Sequence, residues 1–198
     1  LVLEQWQPLR ARAQVHIPAM SWSSHRQGNA IVASIDTVNA LLTVTPENAS
    51  LQATARSAQL GDLALDAGVD DPHSSRALKG KLLVRGLQTG AFAWLLPEDY
   101  HFAGRLDASL QLGGWLSQPD LSGTVTLADG VVSLPDLEES IRELGLQIEL
   151  EDRRARFNGD FRLGTGDGEI SGALNIPEQW QQWQMQAGLI TRAVQFSP

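Results

Sequence analysis

Four histidines are the side chains in this sequence that are best suited to binding a metal ion, and they are dispersed along the chain. They are His16, His25, His73 and His101, and no two of them stand in a His-x-His or His-Glu-x-x-His pattern. Metal sites need ligands brought together at short, defined spacings. We therefore predict no metal site, and we place these histidines on surfaces and in loops.

The glycine-rich segment 164–169 is the other short motif whose residue types could support chemistry. It reads Gly-Thr-Gly-Asp-Gly-Glu and resembles a calcium-binding turn, but it occurs once, without the flanking repeats that build such a site. A hairpin turn is the better interpretation. The segment lacks the Lys-Ser/Thr of a phosphate loop, and no serine stands in a Gly-x-Ser-x-Gly elbow. We predict that the protein is not an enzyme and uses no cofactor.

Charge and cysteine content narrow the choice of partners. The 198 residues carry a net charge of −8, and no run of Lys or Arg is longer than Arg153-Arg154. This argues against nucleic acid and against a polybasic membrane anchor, since both need clustered cations. Cysteine is absent, so disulfides and thiolate catalysis are excluded. Because the chain begins at Leu1, we expect it to be a piece of a longer polypeptide.

Strict alternation of apolar and polar residues is the main structural signal, and it is clearest between residues 106 and 176. A period of two places one set of side chains on one face of a pleated sheet and the other set on the opposite face. We therefore predict an all-β protein of short antiparallel strands with one apolar face. The predicted apolar set is Leu106, Leu110, Leu112, Val125, Leu127, Leu146, Ile148, Leu150, Phe157, Phe161, Leu163, Ile170, Leu174 and Ile176.

The same alternation appears earlier in the chain, in residues 9–17, 31–35, 42–44, 51–55, 63–69 and 78–84. Two segments break it. Residues 90–100 could hold one helical turn, and residues 135–144 are predicted to be a loop or a short helix. Gly113-Gly114 and Asp129-Gly130 are predicted to end strands. Glycines recurring at similar positions inside strands indicate a sheet that curls systematically.

An ordered succession of motifs in residues 104–135 resembles the TamB family of AsmA-like envelope proteins. A strand beginning Gly-x-Leu leads to a Gly-x-x-x-x-Pro-x-Leu-x-Gly link, then a second strand, an Asp-Gly turn and a Pro-terminated strand. The matching positions are Gly104, Leu106, Leu110, Gly114, Pro119, Leu121, Gly123, Asp129, Gly130 and Pro135. The resemblance is best over residues 102–177, where it is similar to the C-terminal type of TamB domain. We predict that residues 1–198 are one fragment of such a β-repeat domain.

The resemblance implies a half-closed, taco-like curled antiparallel sheet whose concave side is a hydrophobic groove. It also implies the periplasmic part of a protein anchored in the inner membrane of a Gram-negative bacterium. TamB-like proteins pair with the outer-membrane barrel TamA, assemble outer-membrane proteins and carry phospholipid. The expected occupants of the groove are therefore lipid acyl chains or unfolded outer-membrane protein strands. No segment here resembles the part that docks to the barrel, so contact with TamA is expected through the full-length protein.

A second architecture fits the same alternation. A closed β-sandwich or barrel with an ordinary dry core would also bury one face of each strand, and it would be typical of a binding or adhesion module. Alternation alone does not separate these two folds. They differ in whether a second layer covers the apolar face.

Overall fold

The computed structural model describes residues 10–26, 29–58, 60–71, 76–95, 97, 99–135, 139–175 and 184–192. These residues form thirteen β-strands and one 3₁₀ helix, so the all-β prediction is confirmed. The strands are β1 (Ala11–Ile17), β2 (Met20–Arg26), β3 (Asn29–Ile35), β4 (Thr37–Val44), β5 (Asn48–Ser57), β6 (Gly61–Asp70), β7 (Ala77–Gln88), β8 (His101–Trp115), β9 (Gln118–Ser133), β10 (Ile141–Glu151), β11 (Arg154–Leu163), β12 (Gly166–Asn175) and β13 (Gln184–Arg192). The helix, Thr89–Leu95, coincides with the break predicted at residues 90–100.

Eleven of the strands form one open antiparallel sheet in the order β1-β4-β5-β6-β7-β8-β9-β10-β11-β12-β13. From β4 onward every strand pairs with its neighbour in sequence. β1 pairs instead with β4, and β2 and β3 form a separate two-stranded sheet between them. Pro18 cannot donate a ladder hydrogen bond, and it lies between β1 and β2 where the pairing changes. Asp36, between β3 and β4, donates its backbone N–H to the Arg56 carbonyl at 2.8 Å.

The large sheet is a single layer in the part of the chain that the structure describes. Its strands make their extensive contacts with hydrogen-bonded neighbours, and no described side chain is less than 2% exposed. The apolar residues classed as buried are Leu60, Val84, Ala108, Leu127, Ala155 and Phe161. A sandwich would bury many more, because its two sheets cover each other. The described residues therefore do not form the closed sandwich that was the alternative.

Two predicted strand ends are wrong, because in both places a strand continues through a residue of positive φ, Asp129 or Gly114. Asp129-Gly130 does not reverse the chain, because β9 continues through it to Ser133 and Asp129 is a bulge residue with φ of 54°. β8 likewise continues through Gly113-Gly114, and the turn falls at Leu116-Ser117. Glycine and aspartate tolerate positive φ, which serves a bulge as well as a turn.

Three strands carry one extra residue each, at Gly86 in β7, Asp129 in β9 and Glu143 in β10, with φ values of 64°, 54° and 49°. The Asp107 side chain holds the first bulge, since its Oδ1 accepts a hydrogen bond from the Gly86 N–H at 2.8 Å. The segment 135–144 was expected to be a loop or short helix, but β10 already begins at Ile141. Such bulges increase the local twist and bend of a strand.

Asp70, at the end of β6, shows how charges are paired on the polar face. Lys79 Nζ lies 2.6 Å from Asp70 Oδ2, and Asn48 Nδ2 donates to Oδ1 at 2.9 Å. The hydrogen bond from Lys79 is the main cause that lowers the pKa of the Asp70 carboxyl below its ordinary value. This pair stabilises the fold above the ordinary carboxyl pKa, and the contribution is lost as the pH falls through the lowered value.

We expect Lys79→Met to raise the pKa of Asp70 toward its ordinary value, because the charged donor is removed. Carboxyl carbon shifts followed by NMR across an acid titration would measure it. Lys81→Met is the matched control, since Lys81 lies on the same strand and face and contacts Asp70 in no hydrogen bond or ion pair of the described residues. Equal Asp70 pKa values in the wild type and Lys79→Met would contradict the assignment.

Candidate functional site

The predicted apolar residues share one face of the sheet, and the strand register shows it directly. Leu106 pairs with Leu127, and Leu127 pairs with Leu146. Ile148 pairs with both Val125 and Phe157. Leu110 pairs with Gly123, Leu112 with Leu121, Leu150 with Ala155, Leu174 with Ala155, Ile170 with Gly159, Phe161 with Gly168, and Leu163 with Ile141 and Gly166. Ile176 lies outside the described residues. Residues paired across a ladder point to the same side, so the thirteen described positions lie on one face.

This apolar face continues across strands that sequence reasoning left out of the site. Two rows of paired residues cross the sheet from β1 to β12. The first row is Val15, Ala40, Ala53, Leu65, Leu82, Leu110, Gly123, Leu150, Ala155 and Leu174. The second is Ile17, Val38, Ala55, Leu63, Val84, Ala108, Val125, Ile148, Phe157 and Gly172. We call these residues the apolar rows; no titratable side chain occurs in either.

Exposure varies along this face. Leu127 is 8% exposed and Phe161 is 7% exposed, whereas Val15 is 50%, Leu42 41% and Leu63 38% exposed. The two buried side chains lie against glycines of neighbouring strands. A Cβ added at Gly104 would meet Leu127 Cδ1 at 2.9 Å, and one at Gly168 would overlap the ring of Phe161. Most of the other residues in the apolar rows are half-buried.

We expect Gly168→Val to destabilise the protein by about 1 to 3 kcal/mol, because the new side chain displaces the buried Phe161 ring. Urea unfolding followed by circular dichroism would measure the loss. Gly113→Ala is the matched control. A Cβ at Gly113 meets nothing within 4 Å, so its cost should stay within about 0.5 kcal/mol. Equal stability of Gly168→Val and Gly113→Ala would contradict the packing of Phe161 on Gly168.

The opposite face is polar and carries the charges of the sheet. Arg162 shows the pattern, with Nη1 3.2 Å from Glu143 Oε1 and Nε 3.2 Å from Asp167 Oδ1. These side chains are between 58% and 77% exposed, so such pairs contribute little to stability. His16 and His101 are exposed on their strands, as predicted. His16 Nδ1 lies 2.7 Å from Asn39 Oδ1.

Comparison with known proteins supplies the family. The family model "TamB, N-terminal domain" matches residues 4–127, which is more than half of the chain. The chain belongs to the TamB family. The match overlaps the motifs of residues 104–135 only in part, and it extends across the earlier strands, where the sequence shows alternation without those motifs. The C-terminal type of TamB domain, inferred from residues 102–177, stays a prediction.

No curated protein and no solved structure matches the chain. Among the described residues, the TamB chain has no helix with the length and apolar character needed to cross a membrane. The TamB assignment identifies the apolar face as part of a segment of an envelope protein.

Proposed function

We propose that the apolar face lines a groove that carries or shields hydrophobic cargo, within a non-enzymatic segment of a TamB-family protein in the periplasm. The full-length protein would be anchored in the inner membrane of a Gram-negative bacterium and would work with a TamA-like outer-membrane barrel. The observation that carries this proposal is the pair of apolar rows, which cross from β1 to β12 without a charged residue. Soluble proteins rarely expose apolar patches of more than a few hundred Å².

The dimensions of the sheet suit a long hydrophobic guest. At about 4.8 Å between neighbouring strands, eleven strands span roughly 48 Å, which is longer than one extended acyl chain. Each buried CH₂ of such a chain gains roughly 0.8 kcal/mol, so a long chain gains about 10 kcal/mol before ordering costs. The gain has no preferred direction, and the rows contain no polar group that would hold a headgroup at one place.

Curling of the sheet into a groove is supported by two features of the backbone. The bulges at Gly86, Asp129 and Glu143 lie in a group of neighbouring strands, where they increase twist and bend. Gly123, with φ of 131°, allows the backbone of β9 to approach that of β8 closely, because a Cβ there would overlap the Ser109 carbonyl oxygen. An uncurled sheet would leave the apolar rows open to water.

The two expected kinds of cargo would use different parts of the sheet. An acyl chain has no hydrogen-bonding groups, so the apolar contacts of the rows are sufficient to bind it. An outer-membrane protein strand carries backbone N–H and C=O groups that need partners. Among the strands that the structure describes, the large sheet offers those only along its edges, β1 and β13. We therefore propose acyl chains as the cargo of the rows and protein strands as cargo of the edges.

Site-specific photocrosslinking in cells tests this function. A photoreactive residue at Leu65 or Leu110, on the apolar rows, should yield lipid adducts that mass spectrometry identifies. The matched control is Ser109, which is the neighbour of Leu110 on the polar face. Lipid adducts at Ser109 as abundant as those at Leu65 and Leu110 would overturn the groove, and protein adducts alone at the rows would replace lipid by client strands. Turnover of any substrate in a panel of esters and glycosides would overturn the non-enzymatic role.

A further inference from the structure

A hollow on the polar face interrupts the simple division of the sheet into an apolar and a polar side. Leu41 in β4 and Leu83 in β7 lie in phase with polar residues, since Leu41 pairs with Gln14 and Gln52, and Leu83 pairs with Ser109. Both are half-buried. They border a hollow of about 410 Å³, a size typical of small-molecule sites.

Small side chains form the floor of this hollow, and polar side chains form its rim. Ala64 pairs with Thr54 on one side and with Leu83 on the other, so short side chains lie beside Leu83, whereas Gln52 stands beside Leu41. Gln14, Asn39 and Gln52 place amides around the rim. The Asn39 amide is oriented by its hydrogen bond with the His16 ring, at 2.7 Å between Oδ1 and Nδ1.

Two side chains of opposite charge, Asp66 and Lys81, stand at one side of the hollow. Asp66 and Lys81 are directly opposite in the register of β6 and β7, but they form no ion pair. The Asp66 carboxylate accepts a hydrogen bond from Gln52 Nε2 at 3.3 Å, and Lys81 makes no hydrogen bond or ion pair within the described residues. Nearby, Asp70 and Lys79 are joined at 2.6 Å. The Asp66 and Lys81 charges therefore remain available to a ligand.

We propose that this hollow binds a free α-amino acid with a large apolar side chain. Side chains opposite each other in an antiparallel pair have Cβ atoms about 4.5 to 5.5 Å apart. That separation lets an α-ammonium group bind Asp66 while the α-carboxylate of the same molecule binds Lys81. The ligand's side chain then lies over the neighbouring pair Ala64 and Leu83, which is two residues, or roughly 7 Å, further along the same two strands. A phenyl group fills that distance and a methyl group does not.

The side chains that would bind the ligand, Asp66, Lys81 and Leu83, leave the face opposite the apolar rows, although Ala40, Ala53 and Leu65 of the first row also border the hollow. It can therefore be occupied whether or not the groove holds cargo. Because the hollow is open to solvent and the ligand is small, the dissociation constant should be on the order of 1 mM.

Saturation-transfer NMR on the whole protein, with phenylalanine as the probe, tests this site. We expect binding of phenylalanine, with phenylalaninamide, N-acetylphenylalanine and alanine each roughly tenfold weaker, because each lacks one of the three contacts. Asp66→Asn and Lys81→Gln should each weaken phenylalanine binding to the same extent. Two control variants should leave phenylalanine binding unchanged. They are Lys79→Gln, because the Lys79 ammonium group is already paired with Asp70, and Leu110→Asp, because Leu110 lies on the apolar face.

Each alternative result would overturn the proposal. Equal binding of phenylalaninamide and phenylalanine would mean that Lys81 recognises no carboxylate. Unchanged binding in Asp66→Asn and Lys81→Gln would place the ligand elsewhere, and loss of binding in Leu110→Asp would place it on the apolar face. If phenylalanine shows no saturation transfer at a concentration about tenfold above the expected dissociation constant, the hollow is not a binding site.

Discussion

Leu110→Asp is expected to reduce lipid crosslinking along the groove roughly tenfold or more and to weaken the outer membrane, while the sheet remains folded. Leu110 stands in the first apolar row between Leu82 and Gly123, and it is only half-buried. An ionised carboxylate set against hydrocarbon costs several kcal/mol, so it would block an acyl chain more than it disturbs an exposed strand. Crosslink yield at Leu65 and sensitivity of cells to detergent are the two measurements.

Ser109→Asp is the matched control for this experiment. The residue is adjacent in sequence, exposed, and faces the opposite side between Leu83 and Thr124. It places the same charge on the same strand without entering the apolar rows. Normal crosslinking in Leu110→Asp, or an equal loss in Ser109→Asp, would count against transport along this face. Circular dichroism of both variants separates a blocked groove from an unfolded sheet.

Removing one residue from β9 should destabilise the protein strongly at Thr126 and only slightly at Asp129, three residues further along the chain. Deleting Thr126 shifts by one residue either the part of β9 before it or the part after it. In the first case Val125 and Leu121 move to the polar face, and in the second case Leu127 does. Each such side chain contributes roughly 1.5 to 3 kcal/mol when fully buried, so we expect a loss of several kcal/mol. Deleting Asp129 removes only the bulged residue and preserves every face.

The register explains the tolerance expected at Asp129. Arg105 pairs with Ala128 and Ala103 pairs with Val131, so two residues of β9 stand opposite Gly104 alone. Without Asp129, the pairs Leu106–Leu127 and Phe102–Val132 both survive. The expected cost is about 1 kcal/mol or less. Urea unfolding of the two deletion variants would decide, and equal losses would contradict the bulge assignment.

The strands and the apolar face were readable from the sequence because alternation is a local property. Leu144, Leu146, Ile148 and Leu150 define their strand without reference to any other part of the chain. The bulges could not be predicted from the sequence, since Asp129-Gly130 has the composition of a turn. A bulge differs from a turn only in that the chain continues in the same direction after it. Alternation alone would place Leu127 and Val132, which are five residues apart, on opposite faces. The extra residue in the bulge between them puts both on the apolar face.

The extent of the site and the hollow on the polar face needed information that no single segment contains. Sequence reasoning confined the apolar set to residues 106–176, although Leu63 and Leu65 alternate just as clearly. Their alignment with Val84 and Leu82, and then with Ala108 and Leu110, depends on the register of three ladders. Leu41 and Leu83 were not singled out from the sequence, and only the pairing of four strands places them around one hollow.

The connection of each strand to the next in the sheet has a consequence for how the molecule is built. From β4 to β13 every ladder joins sequence neighbours, so each new hairpin can pair as soon as it emerges, and no distant strand must arrive first. The polypeptide can therefore gain structure progressively while it is being synthesised. Amide hydrogen exchange should then slow from β1 and β13 toward the long central strands β8 and β9, which are held on both sides.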